Sequence, residues 1–467
     1  MNYPKVILLA LIFSSFSTVC TFAQAEMGEL LARWNDSSLV GSSQYNNTYN
    51  EIWGLAVNDK EYAVIGTTRG THFIDVTDPT DVYEAYVIDG AAQGTAIVHR
   101  DYHDLNGYLY IVCDEGLSST LQIVDISNLP DQPIVVYDNN EIIHRAHNIF
   151  IDTTAERLWA LSLQDANGPS GYAIWDISNP IDPVLLKRSN TIGPVIVSTV
   201  HDAYIDDNRA YLNCGLDGLI IADFSDFNNE QIIANLETSE YPQSGYNHSG
   251  WPSADGNFYF FADETHGKDM KVYDISNLPD MDLVATIDAA NSSNKSIPHN
   301  QIVKGNHLYT AYYYDGLQVH DFSDPDDIKR VLFYPTSNLT ATNDFEGAWG
   351  VYPFLPSGNI LVSDMQEGLF VIKGIDGISA SKDMNTIQNI DIFPNPAFAN
   401  VSIQNNNEMT IESVIVMDAL GRIVNKSVVD IKQGITKNIS LGESQGMNIL
   451  KITFKNGNVI TKKIMKH

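Results

Sequence analysis

The chain has 467 residues, 44% of them hydrophobic, and carries 58 Asp and Glu against 27 Lys and Arg, a formal net charge of −31. The length exceeds one small domain and the apolar content is ample for a core. So strong an acidic excess argues against a partner that is nucleic acid or anionic membrane.

The charge is uneven along the chain. Residues 26–380 hold 51 acidic and 16 basic side chains, net −35, whereas residues 381–467 hold 7 and 10, net +3. Solubility outside the cell is the simple consequence of the acidic part, and an attraction for divalent cations is the sharper one. With 23 Tyr and 18 Phe the composition favours strands over helices.

Residues 1–25 read as a signal peptide. Lys5 precedes an almost wholly apolar run over 6–19, and Ala23-Gln24-Ala25 supplies a small-residue cleavage site. The run is too short to span a membrane as a helix, and no transmembrane segment is expected after its removal. Cys113 and Cys214 then remain, both inside strand-like runs. Two cysteines make no disulfide framework, so both are expected as buried free thiols.

Residues 26–375 contain an internal repeat. The segments THFIDVTDP (71–79), LQIVDISNLP (121–130), YAIWDISNP (172–180), LIIADFSDF (219–227), MKVYDISNLP (270–279) and LQVHDFSDP (317–325) recur at intervals of 47 to 52 residues, and LFVIKGIDG (369–377) is a seventh copy without its Asp. Each alternates apolar residues as a half-buried strand would and ends in turn chemistry. A second strand precedes each copy and a further apolar stretch follows it. Each repeat opens on a marked residue: Trp53, His103, His147, His201, His248, His299 and Trp349, at separations of 50, 44, 54, 47, 51 and 50. Four strands per repeat at this period predict a seven-bladed β-propeller with almost no helix. The seventh repeat stops after its third strand. Residues 29–34 (ELLARW) resemble a fourth strand and are expected to close the ring, covering both open edges.

Residues 376–389 are small and polar and read as a linker. Residues 390–467 alternate in short strands with Asn-Pro and Asn-Gly turns, which predicts a small β-sandwich. The Phe393-Pro394-Asn395-Pro396 opening, the Asp418-Ala419-Leu420-Gly421-Arg422 turn and the last strand with its terminal lysines resemble the type A C-terminal sorting domain of the type IX secretion system of Bacteroidetes. Gly446-Met447-Asn448 departs from that family's usual Gly-x-Tyr. The strand endings IVDIS, IWDIS and VYDIS resemble the LVIVD repeat. The pairs His103-Asp104, His201-Asp202, His147-Asn148 and His299-Asn300, with Gly347-Ala348-Trp349, resemble the choice-of-anchor B proteins over residues 27–375. These resemblances imply export to the cell surface or medium, and the secretion machinery as a partner. They imply no established catalytic activity.

The histidines are the informative feature for chemistry. Equivalent repeat positions occupy equivalent places around the axis, so His103, His147, His201, His248 and His299 are expected at one mouth of the channel. Asp104 and Asp202 follow two of them, and Glu346 lies near the seventh opening. Neutral imidazoles with carboxylates suit Zn²⁺ or another divalent transition metal as cofactor. The competing role is a tie within each blade, from His to the repeated Asp and Ser (Asp125/Ser127, Asp176/Ser178, Asp223/Ser225, Asp274/Ser276, Asp321/Ser323). Their co-occurrence in the same five repeats favours that tie. Trp53, Trp251 and Trp349 either stack on a ligand near the mouth or fill the core between blades. Asp-rich turns such as 323–327 lack the spacing of a calcium loop, and no Gly-x-Ser-x-Gly elbow, His-Glu-x-x-His or phosphate loop is present. The expected function is a binding or scaffold module with an extracellular glycan or protein ligand and no assigned catalytic residue. The alternative is a metal-dependent hydrolase or lyase at the histidine-lined mouth.

Overall fold

The computed structural model describes residues 25–116, 119–197, 199–288, 294–375, 390–406, 410–417, 423–442, 446–455 and 459–466. The segment read as a signal peptide (all but its last residue), the linker 376–389 and the turn Asp418–Arg422 lie outside them. No helix occurs among the described residues, so none is long and apolar enough to cross a membrane. The chain divides into two compact units, Met1–Gly374 and Ile375–His467.

The first unit is a β-propeller of seven sheets, each built on four antiparallel strands that follow one another in sequence in all but the seventh. The innermost strands are Tyr49–Val57, Arg100–Leu105, Asn148–Asp152, Asp202–Asp206, Asn247–Pro252, Gln301–Lys304 and Ala348–Tyr352. Each touches the next, and the last touches the first, so the ring is closed. The seventh blade takes its outermost strand from Leu30–Trp34, paired antiparallel with Gly368–Ile372. An unanticipated short strand, Glu26–Met27, adds in parallel to the outer edge of the sixth blade.

The repeated third strands are buried on both faces, not half-buried as their alternation suggested. Gly70–Asp75 is buried throughout and Leu121–Asp125 all but its last residue. Blades stack face to face, so a middle strand meets a neighbouring blade on either side. The fourth strands are the exposed ones: Ile134–Asn139 has no fully buried residue. In every blade the pairing of third and fourth strands carries a register shift. Such a bulge bends and twists an edge strand, which suits the outer rim of a twisted blade.

The repeated Asp does not reach a histidine. Asp125 Oδ1 accepts the backbone N–H of Ser127 at 2.9 Å and its hydroxyl at 2.6 Å. Asp176, Asp223, Asp274 and Asp321 accept the N–H two residues on in the same way. These are Asx turns that end the third strand, and the sequence-based tie between His and repeat Asp is absent. Cys113 and Cys214 are buried free thiols.

The second unit has two sheets. One contains Ile390–Phe393, Asn400–Asn405 and Thr436–Ser440, and the other Ile423–Ile431, Ile411–Met417, Gly446–Phe454 and Val459–Lys466. Val401 and Ile403 from the first share one core with Val414, Val416 and Ile452 from the second, the arrangement of a β-sandwich.

Two tests follow from this packing. Gly368 sits at φ 90°, where a Cβ would lie 2.4 Å from the Trp34 carbonyl oxygen. Gly368→Ala should therefore cost more than ~1 kcal/mol in a thermal melt, and deletion of residues 27–36 should cost more still by opening a sheet edge. In the fifth blade, Lys271 and Asp263 form an ion pair with both side chains fully buried, and the Tyr241 hydroxyl donates to Asp263 at 2.9 Å. Lys271→Met strands a buried carboxylate and should lower stability by ~3–5 kcal/mol.

Candidate functional site

The inner strands run the same way, so residues at equivalent positions collect at the same depth along the axis. At the entry of the strands stand His99, His147, His201, His248, His299 and Trp349, one each from the second to the seventh blade. Their neighbouring ring centroids are 4.5, 4.2, 4.0, 4.5 and 4.6 Å apart, and Trp349 closes back on His99 at 5.4 Å. The first blade contributes no ring. Instead Asn47 and Asn50 donate to the Val98 carbonyl oxygen at 2.9 and 3.0 Å. These histidines line a cavity of about 280 Å³ with Asp114, Glu115, Glu264 and Tyr313.

The hydrogen bonds fix which nitrogen is available. His201 Nδ1 lies 3.0 Å from the His248 carbonyl oxygen, and His299 Nδ1 lies 2.5 Å from that of Trp349. A carbonyl only accepts, so each Nδ1 carries the proton and each Nε2 keeps its lone pair. His147 Nδ1 pairs with Asp114 Oδ2 at 2.8 Å. Glu264 reaches His248 Nε2 at 3.7 Å and His299 Nε2 at 3.8 Å, and the Tyr313 hydroxyl donates to Glu264 at 2.6 Å. Glu115 accepts the N–H groups of Val98 and His99, both at 3.0 Å, and so anchors the start of the second inner strand.

Burial holds His99, His201 and His248 well below the ordinary imidazole value, and neighbouring imidazoles add to the effect. Burial likewise takes His299 down to about 3. Burial also opposes charge on His147, but the hydrogen bond and charge of Asp114 outweigh it and raise that pKa. Burial lifts Glu264 to about 7. The mouth therefore offers mostly neutral imidazoles, the form that binds metal.

Two clusters bring ligand atoms within 4.8 Å of one another among the described residues: His99, Asp114 and His147, and His201, His248 and Glu264. Each is two imidazoles and one carboxylate, a donor set suited to a divalent transition metal with a position left open.

The sequence-predicted set is split by the structure. His147, His201, His248, His299 and Trp349 come together here. His103 does not. It stands four residues beyond His99, about 13 Å further along the strand at ~3.3 Å per residue, and Trp53 is displaced in the same direction. His103 packs on Trp53 at 4.6 Å, and Trp53 Nε1 donates to Asp104 Oδ1 at 2.8 Å. These belong to a second aromatic ring, completed by Phe150, Tyr204, Trp251, Phe354 and Tyr352. Glu346 lies away from the histidines and accepts from the Tyr314 hydroxyl at 3.3 Å. Asp202 faces the deeper cavity, of about 70 Å³, together with Trp251, Glu51 and Asp101. Burial raises the pKa of all three carboxyls, and Asp101 adds to the shift at both Glu51 and Asp202.

His99, Asp114 and Glu264 escaped the sequence reading. The interval of 44 between His103 and His147 is the shortest in the series, and starting from His99 makes it 48. Asp114-Glu115 and Asp263-Glu264 also recur at the ends of second strands, Tyr108–Cys113 and Phe258–Asp263.

Residues 391–467 match the family described as secretion system C-terminal sorting domain, and residues 105–136 match the LVIVD repeat. No curated protein matches the chain in sequence. Among solved structures, the periplasmic gluconolactonase of Pseudomonas aeruginosa is similar at 12% identity, with 84% of this chain and 99% of that chain covered and a TM-score of 0.48. A putative 6-phosphogluconolactonase from Bacteroides uniformis is similar at 11% identity, with 82% and 100% covered and a TM-score of 0.47. The Swd1 β-propeller domain of Myceliophteria thermophila is similar at 10% identity, with 70% and 97% covered and a TM-score of 0.48. The chain thus joins a β-propeller containing an LVIVD repeat to a type IX secretion sorting domain, a tail that marks proteins for secretion or attachment to the cell surface.

Proposed function

We propose that the exported propeller is an extracellular binding module whose working end is the histidine-lined mouth, and that a divalent transition metal held by His201, His248 and Glu264 forms the centre of that site. One observation carries this reading. The His201 imidazole is oriented by its Nδ1–H bond to the His248 carbonyl of the next blade, leaving Nε2 for the cavity, and the neighbouring His299, although not one of the three ligands, is held in the same way. Metal-ligating histidines are held in this manner by their outer partners. An open coordination position next to a cavity of about 280 Å³ suits an external oxygen or nitrogen ligand.

A metal-dependent hydrolase or lyase is the second reading, favoured by the same donor set. A fourth position open to water generates a nucleophile when metal lowers the pKa of that water. Assays of the loaded protein on ester, glycoside and polyuronate substrates separate the two. Turnover that disappears in His248→Ala would put the enzyme first.

Metal analysis tests the site itself. Protein stripped with EDTA and reloaded should retain stoichiometric Zn²⁺ or Co²⁺ after gel filtration. At a hundredfold excess over Kd the metal should add ~2.7 kcal/mol to apparent stability. His248 Nδ1 is buried with no hydrogen-bond partner, so His248→Ala should abolish retention at little cost in melting temperature. His201→Ala should lose both metal and stability, because it also strips the His248 carbonyl of its donor. No retained metal in the reloaded wild type would remove the reading. For export, a chain lacking residues 385–467 should fold as a propeller yet remain in the periplasm. Its recovery at the cell surface in normal amounts would refute the role of the tail.

A further inference from the structure

The deeper end of the channel holds a site that the metal reading does not use. Glu51 and Asp101, both buried, and the half-buried Asp202 surround one cavity that no Lys or Arg lines among the described residues. Each carboxylate accepts a backbone N–H, from Ile52 at 3.0 Å, Ile149 at 2.6 Å and Ala203 at 2.8 Å. Those bonds position the acids and supply no counter-charge. Arg100, the nearest basic residue in sequence, turns away to the carbonyls of Thr67 and Ala92. With no cation beside them these desolvated acids favour the protonated form, and a bound cation would favour the charged one.

Two independent features say what should fill the gap. The cavity is lined by aromatic side chains, Trp53, Phe150 and Trp251, and Phe354 beside Trp251 is 39% exposed. A ring of π faces over carboxylates attracts an organic cation. Gln301 lines the same cavity, is only 3% exposed, and its amide nitrogen has no hydrogen-bond partner. It is a donor awaiting an oxygen.

We propose that this end of the propeller binds the ammonium head of an amino alcohol, primary or methylated, with the aromatic ring around the nitrogen, Glu51, Asp101 and Asp202 as its counter-charge, and Gln301 on the neighbouring oxygen. A bare metal ion fits less well, because these three acids form no cluster with ligand atoms within 4.8 Å of one another. A sugar ring is too large: at ~10–15 Å³ per water, a cavity of about 70 Å³ holds roughly five to seven water-sized groups, enough for a small amino alcohol and too few for a sugar.

The experiment uses the full-length mature protein, stripped with EDTA so that the histidine site plays no part. Choline, ethanolamine and the carbon isostere of choline, in which tert-butyl replaces trimethylammonium, are titrated in turn, with calcium chloride as a further arm. Tryptophan fluorescence and calorimetry are the readouts. Choline or ethanolamine should bind saturably, and the neutral isostere at least ~10-fold more weakly. Trp53→Ala should weaken binding. Glu51→Gln and Asp202→Asn should weaken it, and Asp202→Asn should do so without lowering the melting temperature, since the amide oxygen can keep the Ala203 N–H bond while the acid is lost; Glu51→Gln also disturbs the bond that Asn300 donates to Glu51 Oε2. Equal binding of the isostere, binding of calcium alone, no saturable binding of either ammonium, or acid-to-amide variants that lose stability and keep their affinity would each overturn the proposal.

Discussion

A blade in this fold buries both faces against its neighbours, but its innermost strand has an edge with no strand beside it. Unpaired backbone groups buried away from water must find partners, and that constraint organises the whole axis. The partners are side chains from adjoining inner strands. Asn50 serves the Val98 carbonyl, Asn148 that of His201, His201 that of His248, Ser249 that of His299, and His299 that of Trp349. Asp101 serves the Ile149 N–H in the opposite sense. The polar lining of the channel is therefore first a means of stitching blades together.

A structural and a ligand role for the histidines need not exclude each other. An imidazole has two nitrogens, and at His201 and His299 they do different things. Nδ1 closes an inner-edge carbonyl, and Nε2 is left for the channel. His248 shows the division from the other side, because its Nδ1 has no partner and its Nε2 faces Glu264. A tie to the repeated Asp was the wrong structural alternative, since Asp125 and its equivalents are occupied by their own turns.

The fold was legible in the sequence because a repeat of about fifty residues carries its own turn signals, and because the missing strand of the seventh copy had a visible replacement in residues 29–34. The half-burial of the third strands was misread for a physical reason: period-two alternation reports which face a residue takes, not whether a second sheet covers that face. The site was legible only in part. His147, His201, His248 and His299 hold equivalent positions, and spacing found them. IVHRDYHD contains two histidines, and the sequence reading took His103 without weighing His99. Bulges at Glu51, His248 and Trp349, where register shifts occur, further blur a count of residues. Glu264 could not come from that count, because it sits after a second strand and reaches the ring through space.

The order in which the ring is made carries a cost of its own. The salt bridge between Arg33 and Glu367, which joins the closing strand to the seventh blade, spans 334 residues. Synthesis proceeds from the N-terminus, so Leu30–Trp34 exists long before Gly368–Ile372 does. For that interval a short apolar strand waits unpaired, and unpaired strand edges are what drive misassembly in slow-folding β proteins. Contacts of such long range also slow folding. A chain built this way remains open until its last blade is complete.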